Sequence, residues 1–335
     1  MARLPVIDIA PLVGGVGDPI AVSAELDHAC RDMGFFYVVG HGVDPALQAR
    51  LDVLAREFFA LPEDEKAEIA MALAGRAWRG WFGVGAELTS GTADLKEGIY
   101  FGAELGPDHR RVAARVALHG ANLFPRRPSG LRDVVLGYID EMTRVGQVVL
   151  AGIAVGLGLD RSFFVRSLTA DPLILFRIFH YPPASPIGST GRWGVGEHTD
   201  YGLLTLLGQD DIAGLQIRTP AGWVDAPPIA GSFVCNLGDM LERLTGGRYR
   251  STPHRVHNAS GEERLSFPFF IDPSWDAHVE RPPIVGRPLD EDAAARWDRM
   301  SVHGFAGSYG DYITAKVERV FPDLAARSTS RQGRH

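Results

Sequence analysis

The chain has 335 residues, of which 45% are hydrophobic and 22% charged, a composition typical of a globular protein with a sizeable core. The formal net charge of −7 argues against a nucleic-acid-binding protein, which would need a basic face. No apolar signal core follows Met1 and no run of about 18 apolar residues is present, so we expect a cytoplasmic protein without a membrane partner. The oligomeric state is left open, and a monomer is compatible with the sequence.

The N-terminal part predicts mixed helix and strand. Two runs rich in β-branched or aromatic residues are typical of short strands: 6–9 and 35–39. Three segments have the caps or the apolar spacing of helices: 21–32, a helix that opens at Asp44-Pro45, and 62–71. A stretch rich in glycine and aromatic residues then predicts loops with short strands over 75–106.

The rest of the chain changes from helical to β-rich patterns. Ser129 predicts the cap of a long helix whose apolar stripe runs from Leu131 to Val155. Six short β-rich runs then follow, separated by Gly, Pro and Asp turns: 173–181, 203–207, 215–218, 233–237, 254–258 and 265–271. Many short strands at such spacing predict a barrel or a double-sheet jelly roll, and residues 301–320 predict a C-terminal helix.

Two histidines and one aspartate are the most informative residues. His198 and Asp200 lie in the segment Gly-Glu-His-Thr-Asp, and His254 follows 54 residues after Asp200. Two imidazoles and one carboxylate on one face of a metal leave about three positions open, which is the ligand set of non-heme Fe(II) oxygenases. In an extended strand, His198 and Asp200 would share one face, and His254 would come from a distant strand folded back over the first. The alternative is a hydrogen-bonded histidine beside a turn carboxylate.

Strand alternation assigns other roles to two neighbouring polar residues. His257 is three residues past His254 and falls on the opposite face, so we expect it to be structural or to face solvent. Glu197 likewise points away from His198 and is not expected to be a ligand.

A possible carboxylate-binding set lies close to this triad in sequence. Arg264 and Ser266 point to one face of the last predicted strand. A guanidinium fork binds a carboxylate through two hydrogen bonds, and a hydroxyl adds a third donor. Tyr181, at the end of the strand before Pro182-Pro183, could donate to the same carboxylate. In isolation, a structural ion pair is the simpler interpretation of Arg264; beside an iron site, the set predicts a carboxylate-bearing ligand.

Motifs along nearly the whole chain resemble the isopenicillin N synthase-like family of iron- and 2-oxoglutarate-dependent dioxygenases. Four N-terminal motifs resemble the helical cap of this family: Leu4 to Asp8, Gly34 to Gly42, Phe58 to Pro62 and Asp94 to Glu97. Six later motifs resemble its catalytic jelly roll: Tyr181 to Pro183, His198 to Asp200, Gly214 to Gln216, Asn236 to Asp239, Ser251 to Val256 and Arg264 to Ser266.

The resemblance implies an α+β fold with a double-stranded β-helix, or jelly roll, as its core, a helical N-terminal cap and a C-terminal helix. It divides the chain into a cap region at 1–125, a jelly-roll domain with its supporting long helix at 126–325, and a polar tail at 326–335.

The resemblance also implies an oxidoreductase that uses Fe(II), 2-oxoglutarate and O2. The product set is succinate, CO2 and a small molecule that has been hydroxylated, desaturated or cyclised. The catalytic residues that would hold Fe(II) are His198, Asp200 and His254, and those that would hold the far carboxylate of 2-oxoglutarate are Arg264, Ser266 and Tyr181.

Two alternatives remain open. Isopenicillin N synthase itself shares the Arg-x-Ser pattern, but binds the carboxylate of its peptide substrate with it and needs no 2-oxoglutarate. The chain could therefore be an oxidase that uses iron and O2 alone. A remote alternative is a non-catalytic jelly-roll binding protein, against which the intact triad argues.

Substrate contacts are predicted from the cap-derived stretch that relatives place near the substrate. Trp78 and Trp81 could wall an apolar pocket, and Arg76 or Arg79 could bind an acidic group. Phe270, on the last predicted strand, could line the iron pocket. For the aromatic residues the alternative is core packing, and for the arginines it is a solvated face.

The remaining polar residues of interest are interpreted as structural. Asp94, Lys96 and Glu97 are expected to form ion pairs. Cys30 lies in a helical pattern and Cys235 in a strand-like run, and both are expected to be buried free thiols in a reducing cytosol.

Overall fold

The computed structural model describes residues 3–89, 91–183, 193–280, 299 and 302–321. The predicted polar tail at 326–335 lies outside the described residues.

The N-terminal part consists of helices beside two short strands. Its elements are β1 (Val6–Asp8), α1 (Ala10–Val13), α2 (Pro19–Asp32), β2 (Phe35–Val39), α3 (Pro45–Phe59) and α4 (Glu63–Lys66). Asp44 caps α3 through its side chain with proline in the first turn, as predicted. Asp18 caps α2 in the same way, so this helix begins at Pro19, two residues before the predicted start. The predicted helix at 62–71 is wrong beyond Lys66, because the chain continues as two 3-10 segments, Ala67–Ile69 and Met71–Ala77.

Short strands and one long helix connect this part to the main sheets. The elements are β3 (Gly80–Phe82), β4 (Leu88–Thr89), β5 (Thr92–Ala93), β6 (Glu97–Gly102), α5 (Arg110–Ala113), α6 (Leu131–Gly156) and α7 (Phe163–Ser167). The predicted cap Ser129 is wrong. Gly130 precedes the first residue of α6 with a left-handed φ of 85°, and no side chain caps the helix. Glycine adopts this conformation without the steric cost of a Cβ atom.

The C-terminal part carries the strands of the jelly roll. Its elements are β7 (Pro172–Tyr181), β8 (Val195–His198), β9 (Leu204–Gln209), β10 (Leu215–Thr219), β11 (Gly222–Asp225), β12 (Phe233–Leu237), α8 (Asp239–Leu244), β13 (His254–Val256), β14 (Arg264–Ser274) and α9 (Tyr309–Val320). All six predicted strands are present. The predicted C-terminal helix begins later than 301, since Ser308 caps α9 in a reciprocal contact with Asp311.

Two sheets form the framework of the fold. The larger has eight strands in the order β1-β2-β12-β9-β14-β7-β6-β3, and the smaller has four in the order β11-β10-β13-β8. Only β1 and β2 pair in parallel, and the other described strand pairs are antiparallel. The predicted α+β class, with a jelly-roll core, a helical N-terminal cap and a C-terminal helix, is confirmed.

The long helix α6 supports the larger sheet from behind. Met142, Val145 and Val149 are fully buried on its inner face, and the Tyr138 ring lies 5.0 Å from that of Phe176 in β7. Each such side chain contributes roughly 1.5–3 kcal/mol when removed from water. This packing holds the strands that carry the site in fixed positions.

Within the described residues, no helix is long and apolar enough to cross a membrane.

Candidate active site

A cavity lies between the two sheets. Its walls come from β7, β9, β12 and β14 of the larger sheet and from β8, β10 and β13 of the smaller one. Helix α9 adds apolar side chains to the wall, among them Ile313 and Val317. All six residues predicted to bind iron and cosubstrate line this cavity: His198, Asp200, His254, Arg264, Ser266 and Tyr181.

The structure brings the two histidines and the aspartate together. β8 and β13 pair antiparallel with His198 directly opposite His254, and their ring centroids are 4.2 Å apart. The predicted placement of Asp200 on the same strand as His198 is wrong, because β8 ends at His198 and Asp200 follows in the connecting loop. Even so, one ligand atom from each of the three residues lies within 4.8 Å of the others.

Backbone carbonyls orient both imidazoles. His198 Nδ1 lies 2.8 Å from the carbonyl oxygen of Gly196, and His254 Nδ1 lies 3.1 Å from that of Thr252. A carbonyl oxygen can only accept a hydrogen bond, so each Nδ1 carries the proton and each Nε2 keeps its lone pair. Both Nε2 atoms face Asp200, at 3.8 and 3.9 Å from its Oδ1. Metal-binding histidines in proteins are commonly fixed in this way.

Two further side chains orient the Asp200 carboxylate. Thr205 Oγ1 and Asn236 Nδ2 donate to its Oδ2 atom at 2.5 and 2.6 Å. These contacts leave Oδ1 directed toward the histidines. Asn236 belongs to one of the family-like motifs, but its contact with Asp200 was not predicted. The only local indication of such a contact is the presence of an amide side chain in the fully buried strand β12.

Burial sets the protonation state of the triad. Burial, reinforced by the nearby His198, lowers the pKa of His254 to about 4. Burial also lowers the pKa of His198. For Asp200, burial alone would raise the pKa, but the two histidines and the donors to Oδ2 lower it below its usual value. The three residues therefore stand at neutral pH as two neutral imidazoles and a carboxylate, the forms that bind metal.

The predicted carboxylate-binding set also meets in space. Arg264 of β14 pairs with Tyr181 of β7, and the Tyr181 hydroxyl lies 3.3 Å from Ser266 Oγ. Arg264 is completely buried, and it donates from Nε to the Ile212 carbonyl at 3.1 Å and from Nη2 to Gln209 Oε1 at 3.0 Å. Its Nη1 atom has no partner among the described residues. A buried donor of this kind fits an incoming carboxylate.

The predicted substrate residues separate into two groups. Trp78, Arg79 and Phe270 line the cavity, whereas Trp81 and Arg76 are not among its lining residues. The guanidinium of Arg79 donates to two backbone carbonyls, and the indole N–H of Trp81 donates to a buried glutamate. Both side chains are therefore engaged with the protein itself.

The neighbouring polar residues take the places that strand alternation assigns to them. Glu197 faces outward and pairs with the exposed Arg218 at 2.9 Å. His257 packs its ring against Trp193 and is outside the described cluster of potential metal ligands.

The residues expected to be structural are also accounted for. Lys96 forms ion pairs with Asp94 and Glu87, and Glu97 pairs with Lys66, so the predicted ion pairing is confirmed. The two cysteines are buried and free, as predicted.

One prominent cavity residue, Arg177, was not predicted from the sequence. It lies in β7 and lines the cavity between the rings of Tyr100 and Phe270, at 4.2 and 4.8 Å from their centroids. The available signal was a single charged residue inside the apolar run Leu173 to Phe179. The sequence does not show where this charge lies relative to the triad, because its position depends on how β7 pairs with its neighbouring strands.

Comparison with known proteins agrees with this geometry. Residues 4–127 match the family described as the N-terminal part of the non-haem dioxygenase in morphine synthesis, and residues 173–273 match the 2OG-Fe(II) oxygenase superfamily. A Dictyostelium discoideum protein named as a probable iron/ascorbate oxidoreductase is 46% identical over an alignment 347 residues long, and the alignment covers 96% of each chain. A homoarginine-6-hydroxylase of Oryza sativa subsp. japonica is 39% identical over 326 residues, which cover 94% of this chain and 96% of the relative.

Solved structures show the same likeness. A full-length Neurospora crassa protein, solved in complex with alpha-KG and thymine, aligns with a TM-score of 0.76 at 26% identity, over 97% of each chain. The predicted family, the predicted enzyme class and the predicted cofactors are thus confirmed. The chain belongs to the 2OG-Fe(II) oxygenase superfamily, in its isopenicillin N synthase-like family, and is an oxidoreductase that uses Fe(II), 2-oxoglutarate and O2.

Proposed function

We propose that His198, Asp200 and His254 hold Fe(II) through Nε2, Oδ1 and Nε2. The observation that carries this proposal is the convergence of three ligand atoms within 4.8 Å of one another. The hydrogen bonds with Gly196, Thr252, Thr205 and Asn236 set the protonation and orientation of all three beforehand. A ligand set prepared in this way does not have to reorganise when the metal binds.

We further propose that Arg264, Ser266 and Tyr181 bind the distal carboxylate of 2-oxoglutarate. The partnerless Nη1 of Arg264 supplies a donor that carries a positive charge, and the two hydroxyls supply uncharged donors to the same carboxylate. The contacts of Arg264 with Ile212 and Gln209 fix the plane of the guanidinium. This arrangement favours a planar acceptor over a single oxygen atom.

The bound Fe(II), together with 2-oxoglutarate and O2, supplies the oxidation of the substrate, which yields succinate and CO2. The protein orients the reactants and keeps water out of the site. We assign Trp78 and Phe270 to the substrate pocket, because both line the cavity that contains the triad. The contacts of Arg79 and Trp81 with protein atoms favour a supporting role for these two side chains.

The substrate is proposed to be a small molecule, converted by hydroxylation, desaturation or ring closure. The rice relative is named for homoarginine hydroxylation and the Neurospora structure contains thymine, and both of these compounds are small polar molecules. The net charge of −7 supports this partner class over nucleic acid. Two buried free cysteines support a reducing compartment, the cytoplasm, which cell fractionation would check.

An anaerobic titration tests the two binding assignments together. Addition of Fe(II) and then 2-oxoglutarate is expected to produce a weak visible charge-transfer band, and admission of O2 is expected to release succinate. The variant His198→Ala should lose the iron affinity. His257→Ala is the matched control, because His257 lies outside the described ligand cluster, and it should retain that affinity.

The possible failures of this experiment point to different errors. Iron binding unchanged in His198→Ala would contradict the ligand assignment. Iron binding without the band and without succinate would contradict the assignment of Arg264, Ser266 and Tyr181 to the cosubstrate.

A further inference from the structure

One charged side chain in the cavity wall has no part in the proposed iron and cosubstrate sites. Arg177 lies in the middle of β7 within an otherwise apolar run. Side chains of a strand alternate between its two faces, and those of Leu175, Phe179 and Tyr181 line the cavity with Arg177. Arg177 is four residues from Tyr181, or about 13 Å along the strand, so it belongs to a different part of the cavity from the proposed cosubstrate site.

Arg177 makes no hydrogen bond with the residues that the structure describes. Its Nε atom is buried without a partner, and its Nη1 atom lies 3.9 Å from Glu87 Oε1, too far for a hydrogen bond. Glu87 is already engaged, since Lys96 Nζ lies 2.7 Å from its Oε2 and the Tyr100 hydroxyl donates to its Oε1. A buried guanidinium with unbonded N–H groups costs free energy. Glu87 offsets the charge of Arg177 as an ion pair at 3.9 Å, but it leaves the N–H groups without a hydrogen bond.

The other two arginines of the described cavity wall differ from Arg177. Arg79 donates to two backbone carbonyls, which hold it in the wall. Arg264 donates to one carbonyl and one amide oxygen, and its remaining donor faces the proposed cosubstrate site. Arg177 alone among these three makes no hydrogen bond to the described residues and has no assigned ligand; its protein partner is Glu87, in an ion pair at 3.9 Å.

Aromatic rings determine how Arg177 presents its donors. The guanidinium carbon lies 4.2 Å from the centroid of the Tyr100 ring and 4.8 Å from that of Phe270. Contacts with the faces of aromatic rings use no N–H donor, so the N–H edge of the guanidinium stays available. Only 17% of the side chain is exposed, and the residue lines the cavity.

We propose that Arg177 binds a carboxylate of the substrate through this edge and so selects carboxylate-bearing small molecules. The proposal rests on the proposed function of the cavity. A planar carboxylate accepts two parallel N–H···O hydrogen bonds from a guanidinium. A neutral carbonyl compound accepts much weaker hydrogen bonds from the same group. Contact at this point would fix the end of the substrate that does not react and hold the rest of the molecule toward the triad.

The test uses the whole protein loaded anaerobically with Fe(II) and 2-oxoglutarate, so that the Arg264 site is occupied. Benzoate and benzamide, which have the same shape but differ in charge, are titrated by calorimetry, and the visible band is recorded throughout. We expect benzoate to bind about 10- to 100-fold more tightly than benzamide. Arg177→Gln should remove this preference, and Arg177→Lys should retain only part of it.

Arg255 provides a matched control. Its guanidinium carbon lies 4.0 and 3.8 Å from the ring centroids of Trp193 and Trp223, and it is outside the lining of the cavity. Arg255→Gln should keep the preference for benzoate. A general effect of removing an arginine from between two aromatic rings would instead lower benzoate affinity in both variants.

Two results would overturn the proposal: equal affinity of the wild-type protein for benzoate and benzamide, or an unchanged preference in Arg177→Gln. If Arg177→Gln does not fold, the affinities of the wild-type protein and of Arg177→Lys for benzoate and benzamide still test the proposal. Failure of the proposed function would appear separately, as the absence of the visible band before either ligand is added.

Discussion

The sharpest prediction concerns the buried guanidinium of Arg264. Replacement by lysine keeps a positive charge but removes the fork, and replacement by glutamine removes both. In either variant the donor that now lacks a partner, Nη1, is lost. The two contacts that fix the plane of the guanidinium, with Ile212 and Gln209, are lost or altered as well.

The magnitude follows from the kind of hydrogen bond that is removed. A hydrogen bond to a charged group contributes about 1.5–3 kcal/mol, which corresponds to a loss of roughly 10- to 150-fold in 2-oxoglutarate affinity. Ser266 adds one donor that carries no charge of its own, so Ser266→Ala should cost an amount at the lower end of this range, about 1.5 kcal/mol, or roughly 10-fold. The expected order of 2-oxoglutarate affinities is wild type, Ser266→Ala, Arg264→Lys and, weakest, Arg264→Gln.

The assay is an anaerobic titration of 2-oxoglutarate into the Fe(II)-loaded protein, followed through the visible band. Iron affinity is measured first and should be unchanged in all variants, because Arg264 is absent from the described cluster of metal ligands. Arg218→Gln serves as a control at an exposed ion pair with Glu197. Wild-type 2-oxoglutarate affinity in a folded Arg264→Gln protein would refute the assignment of the cosubstrate site.

Asn236, Gly202 and Asp272 surround the triad, and a substitution at each has a measurable consequence. Asn236→Leu removes a 2.6 Å donor to Asp200 and should weaken Fe(II) binding by about 10- to 100-fold, measured by metal titration; unchanged affinity would show that the donor has no such role. Gly202→Ala would place a Cβ atom 1.4 Å from Asp272 Oδ1, so chemical unfolding should show a loss of about 1–3 kcal/mol, and wild-type stability would contradict this. Burial raises the pKa of Asp272 from its ordinary 3.8 to about 7. The folded protein therefore keeps a proton that the unfolded chain releases in this interval, and the free energy of unfolding should fall as pH rises through it. Asp272→Asn should flatten this dependence in urea unfolding at about pH 5 and about pH 8, and an equal slope in both proteins would refute the argument.

Local sequence signals predicted the elements whose determinants are local. The predicted cap Asp44, for example, accepts a hydrogen bond from the backbone N–H of Ala46, two positions further on. The predictions that failed are those in which the preference of a single residue for a cap or a strand was overridden by the backbone conformation of its neighbours. Ser129 is a good capping residue, yet Gly130 in a left-handed conformation occupies the position before α6. Asp200 continues the alternation of β8 in sequence, but the strand ends at His198.

The sequence by itself determined the chemistry of the site. Two imidazoles and a carboxylate predict an iron site with open positions, and Arg264 with Ser266 predicts a carboxylate beside it, because ligand type and side-chain chemistry are properties of single residues. The resemblance to the dioxygenase family rests on the same short motifs.

Only the tertiary structure decided how these groups are oriented and which others join them. Asn236 donates to Asp200 across 36 positions of the chain, and Gln209 accepts from Arg264 across 55. Arg177 faces the cavity because β7 lies between β6 and β14 in the larger sheet. Contacts over such distances depend on strand order and register, which are set by the packing of the whole core and are not encoded in any one segment.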